Sequence, residues 1–169
     1  MEATEILNDG FERVQQSVHH SVRGLSAEQL RWRAYARGNT IAWLIWHLTR
    51  VQDDHVADAF DLPQLWLDDG WYTRFGLPFE KLATGYGHSA DEVTRVQVQS
   101  AQLLLDYHDA VTERTVRQVA ALDSGDLDRV VDEGWNPPVT LGVRLVSVIS
   151  DDLQHAGQAA YLRGQLLEE

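Results

Sequence analysis

Apolar residues recur at helical spacing in four stretches of the chain, and the glycines, prolines and polar clusters fall between them. Ile6, Phe11, Val14, Val18 and Val22 predict a first helix over 3–22, stopped by Gly24. A polar connection covers 25–38, where Ser26 and Gln29 have the spacing of a capping box for one turn. Asn39 and Thr40 supply N-cap chemistry for a second helix reaching Ala59. Ser89 and Glu92 form another capping box and open a third helix. The run Val93, Val96, Ser100, Leu103, Leu104, Tyr107, Val111 and Val119 carries it to Leu122. A fourth helix starts near Thr140 and continues to Leu166.

The interval 60–88 holds Pro63, Gly70, Gly76, Pro78, Gly85 and Gly87 and reads as a long irregular loop. It also holds Trp66, Trp71, Tyr72, Phe75, Phe79 and Tyr86, too many aromatics for disorder, so it is expected to fold over something. Residues 127–140 read as a short extended stretch or a plain loop. The expectation is an all-α fold: one domain over 1–169, a four-helix bundle with long irregular connections. In such bundles sites are built from side chains on facing helices.

Composition narrows the partners. The 169 residues are 44% hydrophobic and 24% charged, enough for a real core. A net charge of -12 repels phosphate backbones and anionic lipid, so neither nucleic acid nor membrane is expected. The longest apolar run, 41–46, is too short to span a bilayer. Glu2 and Glu5 stand where a signal peptide would be basic, and a soluble cytoplasmic protein is expected. Acid concentrates in 53–69 and 123–133, read as solvated loops and helix ends. The chain has no cysteine, which excludes disulfides, a Cys-ligated zinc and a catalytic thiol of its own. Any sulfur chemistry would draw its thiol from a diffusible molecule.

Three residues stand out on the helical wheels. His47 shares a stripe of the second helix with Thr40, Trp43, Leu44 and Val51, all within about 60° of it. On the fourth helix Asp151 and His155 are four residues apart and share a stripe with Val148, Ala159, Leu162 and Leu166. A carboxylate directed inward must be paired, protonated or bound to a cation. An Asp–His ion pair meets that need, with His47 a hydrogen-bonded core residue. With His47 as third member, the same residues make a metal-ligand set. Further candidates are Asp54 and His55 on the His47 face, His88 at the mouth, and Arg144, which either pairs with an acid or anchors a substrate carboxylate. His19, His20 and His108 read as surface residues.

The run Asn39-Thr40-Ile41-Ala42-Trp43-Leu44-Ile45-Trp46-His47-Leu48, the loop Gly85-Tyr86-Gly87-His88-Ser89 and the later Asp151-x-x-x-His155-Ala156-Gly157-Gln158 resemble the DinB superfamily. The likeness is to its actinobacterial branch, which includes mycothiol-dependent maleylpyruvate isomerase and the mycothiol and bacillithiol S-transferases. It implies an up-down-down-up bundle, often dimeric, with one divalent ion, usually zinc and sometimes nickel; iron also suits the donor set. The family pattern is one His on the second helix and a His-x-x-x-His pair on the fourth. His47 and His155 match two of these, and Asp151 stands where the family commonly has His, or Glu in the isomerase.

The resemblance leads to a metal-dependent enzyme that adds a mycothiol-like thiol to an electrophilic small molecule. Two alternatives stay open: a hydrolase using metal-bound water, for which Asp54 is the evident base, and a non-enzymatic, metal-braced bundle that binds a small molecule.

Overall fold

The computed structural model describes residues 1–168. In chain order the helices are α1 (Ala3–Val22), α2 (Ala27–Leu30), α3 (Ile41–Ala59), α4 (Leu65–Asp68), α5 (Trp71–Phe75), α6 (Ala90–Arg95), α7 (Ala101–Ala120) and α8 (Leu141–Glu168). A small antiparallel pair, β1 (Val130–Asp132) and β2 (Val139–Thr140), precedes α8. The four long helices form the up-down-down-up bundle. Both α1 and α3 pack along α7 and α8, while α1 and α3 face each other across the diagonal. The long interval between α3 and α7 is the crossover that this topology requires. Among the described residues no helix is long and apolar enough to cross a membrane.

The local signals set the ends of these helices. Thr40 caps α3 by accepting from the Trp43 amide at 3.0 Å, and Ser26 with Gln29 closes the capping box of α2. On α1 the buried stripe is Leu7, Phe11, Val14, Val18 and Val22. Ile6, expected in the core, is 57% exposed; Leu7 replaces it because it lies four residues before Phe11.

The expected third helix is two helices. Its capping box is present, but it opens only α6; the chain then runs extended through 96–100, and Ser100 caps α7 afresh. Val96 and Val98 are both buried. An extended segment puts residues two apart on one side, whereas a helix would turn one of them to solvent. The 60–88 interval likewise contains α4 and α5, and 127–140 forms the β hairpin.

Two apolar clusters fill the bundle. One gathers Val14, Val18, Leu44, Leu48, Val111 and Ala156 with Trp43, Trp46, Trp66 and Trp71, and the other gathers Leu7, Phe11, Val56, Val119, Leu145 and Val148. The bundle also buries polar residues, among them Gln52 on α3, Thr115 on α7 and Asp152 on α8. Gln52 donates to Thr115 Oγ1 at 3.0 Å. Burial holds the Asp152 carboxyl well above the usual carboxylate range, with the Asp151 charge adding to it, and neither Asp152 oxygen has a partner.

Asp53 corrects the reading of the acidic stretch as solvated. It is fully buried and accepts from the Leu65 and Trp66 amides, Tyr107 Oη and Arg114 Nη2 at 2.7–3.0 Å. Arg50, also fully buried, lies 3.6 Å away and donates to the Ala83 carbonyl and Gln64 Oε1. One polar face of α3 thus satisfies the backbone of the aromatic loop and holds it in place.

His108 is a second correction: it is fully buried, within 3.1 Å of Thr49 Oγ1 and 3.3 Å of Thr112 Oγ1. Burial pushes its pKa down from 6.5 to about 4. The unfolded chain therefore takes up this proton first as pH falls. Native stability declines from pH 6.5 and levels off only below about 4. The share due to His108 is about 2 kcal/mol by roughly pH 5. In chelator-treated protein, His108→Gln should remove that share of the difference in urea-denaturation free energy between neutral pH and pH 5. Equal pH dependence in both proteins would show that His108 is not its source.

Candidate metal centre

His47, Asp151 and His155 each offer a ligand atom, and these atoms all lie within 4.8 Å of one another. His47 is buried on α3, and the His155 and Asp151 side chains are 18% and 39% exposed on α8. The buried stripe of α8 is Leu141, Leu145, Val148, Asp152, Ala156 and Ala159. Asp151 and His155 therefore occupy its edge, where the α3–α8 seam meets solvent, and Asp152 takes the central place.

Hydrogen bonding orients both imidazoles. His47 Nδ1 lies 2.6 Å from the Thr84 carbonyl oxygen, which can only accept, so Nδ1 carries the proton and Nε2 keeps its lone pair. His155 Nδ1 lies 3.4 Å from Gln158 Oε1, which favours the same tautomer. Its Nε2 is 3.6 Å from Asp151 Oδ1. Burial is the main influence on His47 and lowers its pKa; the Thr84 bond and Asp151 oppose this, and His155 and His88 add to it. A neutral imidazole is the form that ligates a cation.

Asp151 Oδ2 supplies the test of fit. It is buried without a hydrogen-bond partner. An orphaned carboxylate oxygen beside two oriented imidazoles suits a divalent cation, and two nitrogens with one oxygen leave a coordination position open. Trp43 stacks on His47 at 4.6 Å between ring centroids and meets His155 edge-on at 6.1 Å.

The other candidates divide. His88 reaches the mouth: it accepts from Trp43 Nε1 at 3.2 Å and packs between Trp46 and Phe79, and burial lowers its pKa. Asp54 accepts from Gln64 at 2.6 Å and lies 3.9 Å from His55, not among the three clustered residues. Arg144 pairs with Asp132 at 2.8 Å and lies 2.7 Å from His55 Nδ1. It is occupied as an acid partner rather than free to anchor substrate. His19 is half-buried against Asp109 at 2.7 Å.

Thr84, Gly85 and Gln158 are the supports that sequence reasoning missed. Thr84 carries no signal in the sequence and Gln158 only its place after His155 in the fourth-helix motif, whereas Gly85 stands in the Gly85-x-Gly87 loop. Its φ is +92°, and a Cβ there would meet Trp46 Cζ3 at 2.9 Å and His47 Nδ1 at 3.0 Å. Gly85→Ala should therefore push the loop off His47 and weaken metal affinity about 10–100-fold, the usual effect of losing a support behind a ligand. A competition titration with a chromophoric chelator reads this, and unchanged affinity would show that the Thr84 contact is dispensable.

Compared with known families, the chain matches the model described as mycothiol-S-transferase over residues 6–167. Among solved structures it is similar to the conserved protein of locus from Enterococcus faecalis, with 28% sequence identity and a TM-score of 0.92. That match covers 100% of this chain and 99% of the other. No curated protein matches the sequence.

Proposed function

The chain belongs to the mycothiol-S-transferase family, and from that premise we propose that it joins a low-molecular-weight thiol, mycothiol first, to an electrophilic small molecule. We infer that His47, Asp151 and His155 hold the divalent ion the reaction uses, zinc by preference and nickel or iron by the same donor set. The observation that carries this is the meeting of two oriented imidazoles with a partnerless carboxylate oxygen, in a chain with no cysteine of its own. A divalent cation there supplies positive charge that lowers a thiol's pKa and favours its nucleophilic, deprotonated form.

The protein's own groups do the rest. His47 and His155 present Nε2 because their Nδ1 protons are given to Thr84 and Gln158. Asp151 brings a single negative charge, so a dication keeps net attraction for an incoming anion. Trp43 packs against both imidazoles, and His88 accepts from its indole N–H. Asp54, the base a hydrolytic reading would need, is engaged by Gln64. A cytoplasmic homodimer belongs to the same reading, and sedimentation at micromolar protein tests the dimer.

The deciding experiment is elemental analysis of protein purified without chelator, followed by mycothiol consumption with an electrophile panel, with and without the metal found. Metal-dependent loss of thiol is expected. Metal-loaded protein that leaves the thiol untouched but hydrolyses esters or amides would overturn the transferase reading, and one that does neither would make the ion a brace.

A further inference from the structure

The segment 83–88 meets one stripe of α3 at three points. The Ala83 carbonyl accepts from Arg50 Nε at 3.1 Å, the Thr84 carbonyl from His47 Nδ1 at 2.6 Å, and His88 Nδ1 from Trp43 Nε1 at 3.2 Å. Residues 43, 47 and 50 share a face because they are four and three apart. Between the last two points the chain reverses: the His88 amide donates to the Gly85 carbonyl at 3.1 Å, with Gly87 at φ +75° inside the turn. The reversal leaves Tyr86 outside, 92% exposed, and returns His88 to α3.

Two of these contacts have a clear purpose, since one anchors the loop and one orients a ligand. The third ends on Trp43, which cannot ligate an ion but packs against both imidazoles. Its indole is stacked on His47 with 13° between the planes and meets His155 edge-on at 86°. The imidazoles themselves lie 4.8 Å apart, centroid to centroid. A tilt of the indole is therefore felt by both rings at once. Burial alone does not force a partner on an indole here, because the Trp46 and Trp71 N–H groups are buried without one. An indole nitrogen only donates, so His88 Nδ1 carries no proton. That acceptor is itself fixed, with the His88 ring 4.5 Å from Phe79 and 5.9 Å from Trp46.

We propose that His88 is a positioning residue of the metal centre: it fixes the tilt of Trp43 and, through that indole, the angle between His47 and His155. The hydrogen bond holds both imidazoles ready before an ion arrives, so less ordering is left for binding to impose. His88 touches neither ion nor substrate in this role. The inference rests on the ligand set proposed above and adds to it the residue that keeps two of its members in register.

Chelator-competition titration with zinc tests it on the full chain, and the visible absorption of the cobalt(II)-loaded protein reports ligand geometry without any assay of turnover. His88→Phe keeps a ring between Trp46 and Phe79 but offers no acceptor. It should weaken zinc binding about three- to tenfold, the worth of one aromatic contact, and shift the cobalt bands. His88→Asn, whose Oδ1 can accept, should recover most of both. In a Trp43→Phe background, where the N–H is gone, His88→Phe should add no further loss. A full-strength loss in that background, equal weakening by His88→Phe and His88→Asn, or unchanged zinc affinity in His88→Phe would each overturn the role of His88 and leave the ligand set standing. A parent protein that binds neither zinc nor cobalt would overturn the ligand set and the role of His88 together.

Discussion

Asp53→Ala is expected to destabilise the protein by about 3–5 kcal/mol, the range for removing one side of a buried ion pair. The carboxylate is fully buried and accepts from two backbone amides, a tyrosine hydroxyl and a guanidinium. Its loss would leave Arg50 as a buried charge and strand the Leu65 and Trp66 amides at the start of α4. Burial and the neighbouring Asp53 charge hold Tyr107 well above its ordinary pKa, so its hydroxyl stays protonated and would also lose its acceptor. Against a typical total of about 5–15 kcal/mol, the loss consumes a large share of the stability. Urea denaturation followed by far-UV circular dichroism measures it. A change below about 1 kcal/mol would show that the network is not what holds the aromatic loop to α3. Asp53→Asn should lie between the two proteins, because one oxygen still accepts while the new amide group faces donors.

His47→Ala is expected to reduce bound metal from stoichiometric to near zero while leaving the helical signal almost unchanged. Two ligands would remain, both from α8, and the link between α3 and α8 through the ion would be gone. Asp151→Ala and His155→Ala should behave alike. The parent should gain about 4 kcal/mol of apparent stability at a free ion concentration of about a thousand times its dissociation constant, and the variants should gain nearly none. Plasma emission spectrometry and thermal unfolding with and without zinc give both readings. Stoichiometric metal in His47→Ala would show that the ligand set is wrongly assigned. Gly85→Ala should fall between parent and His47→Ala, since it keeps the ligand and disturbs only what orients it.

Much of the scaffold was legible because helix ends and buried stripes are local. Thr40, Ser26 with Gln29, and Ser89 with Glu92 each cap a helix where their spacing says they should. The break at 96–100 is hidden in the sequence because Val93, Val96, Ser100 and Leu103 continue a helical count across it, and only the core that Val98 also enters distinguishes the two. Ile6 and Leu7 are similar neighbours, and the partners of α1 decide between them. The resemblance to a known family supplied the bundle's topology, which hydrophobic spacing cannot, and favoured the metal reading of a residue set that the helical wheels already mark.

Legible in the chain alone are the helical scaffold, the excess of negative charge, the lack of a native thiol, and the i, i+4 pair Asp151 and His155. Each follows from residue type and short-range geometry. Folding alone buries Asp53 and His108, since burial is set by what packs over a residue. It alone brought the Thr84 carbonyl to His47, across a loop whose course depends on long-range bonds from Arg50 and Asp53. It also placed Asp151 at the edge of the α8 stripe and Asp152 at its centre. A rotation of one residue on the wheel separates those two outcomes, and only the packing of α1 and α3 against α8 selects between them.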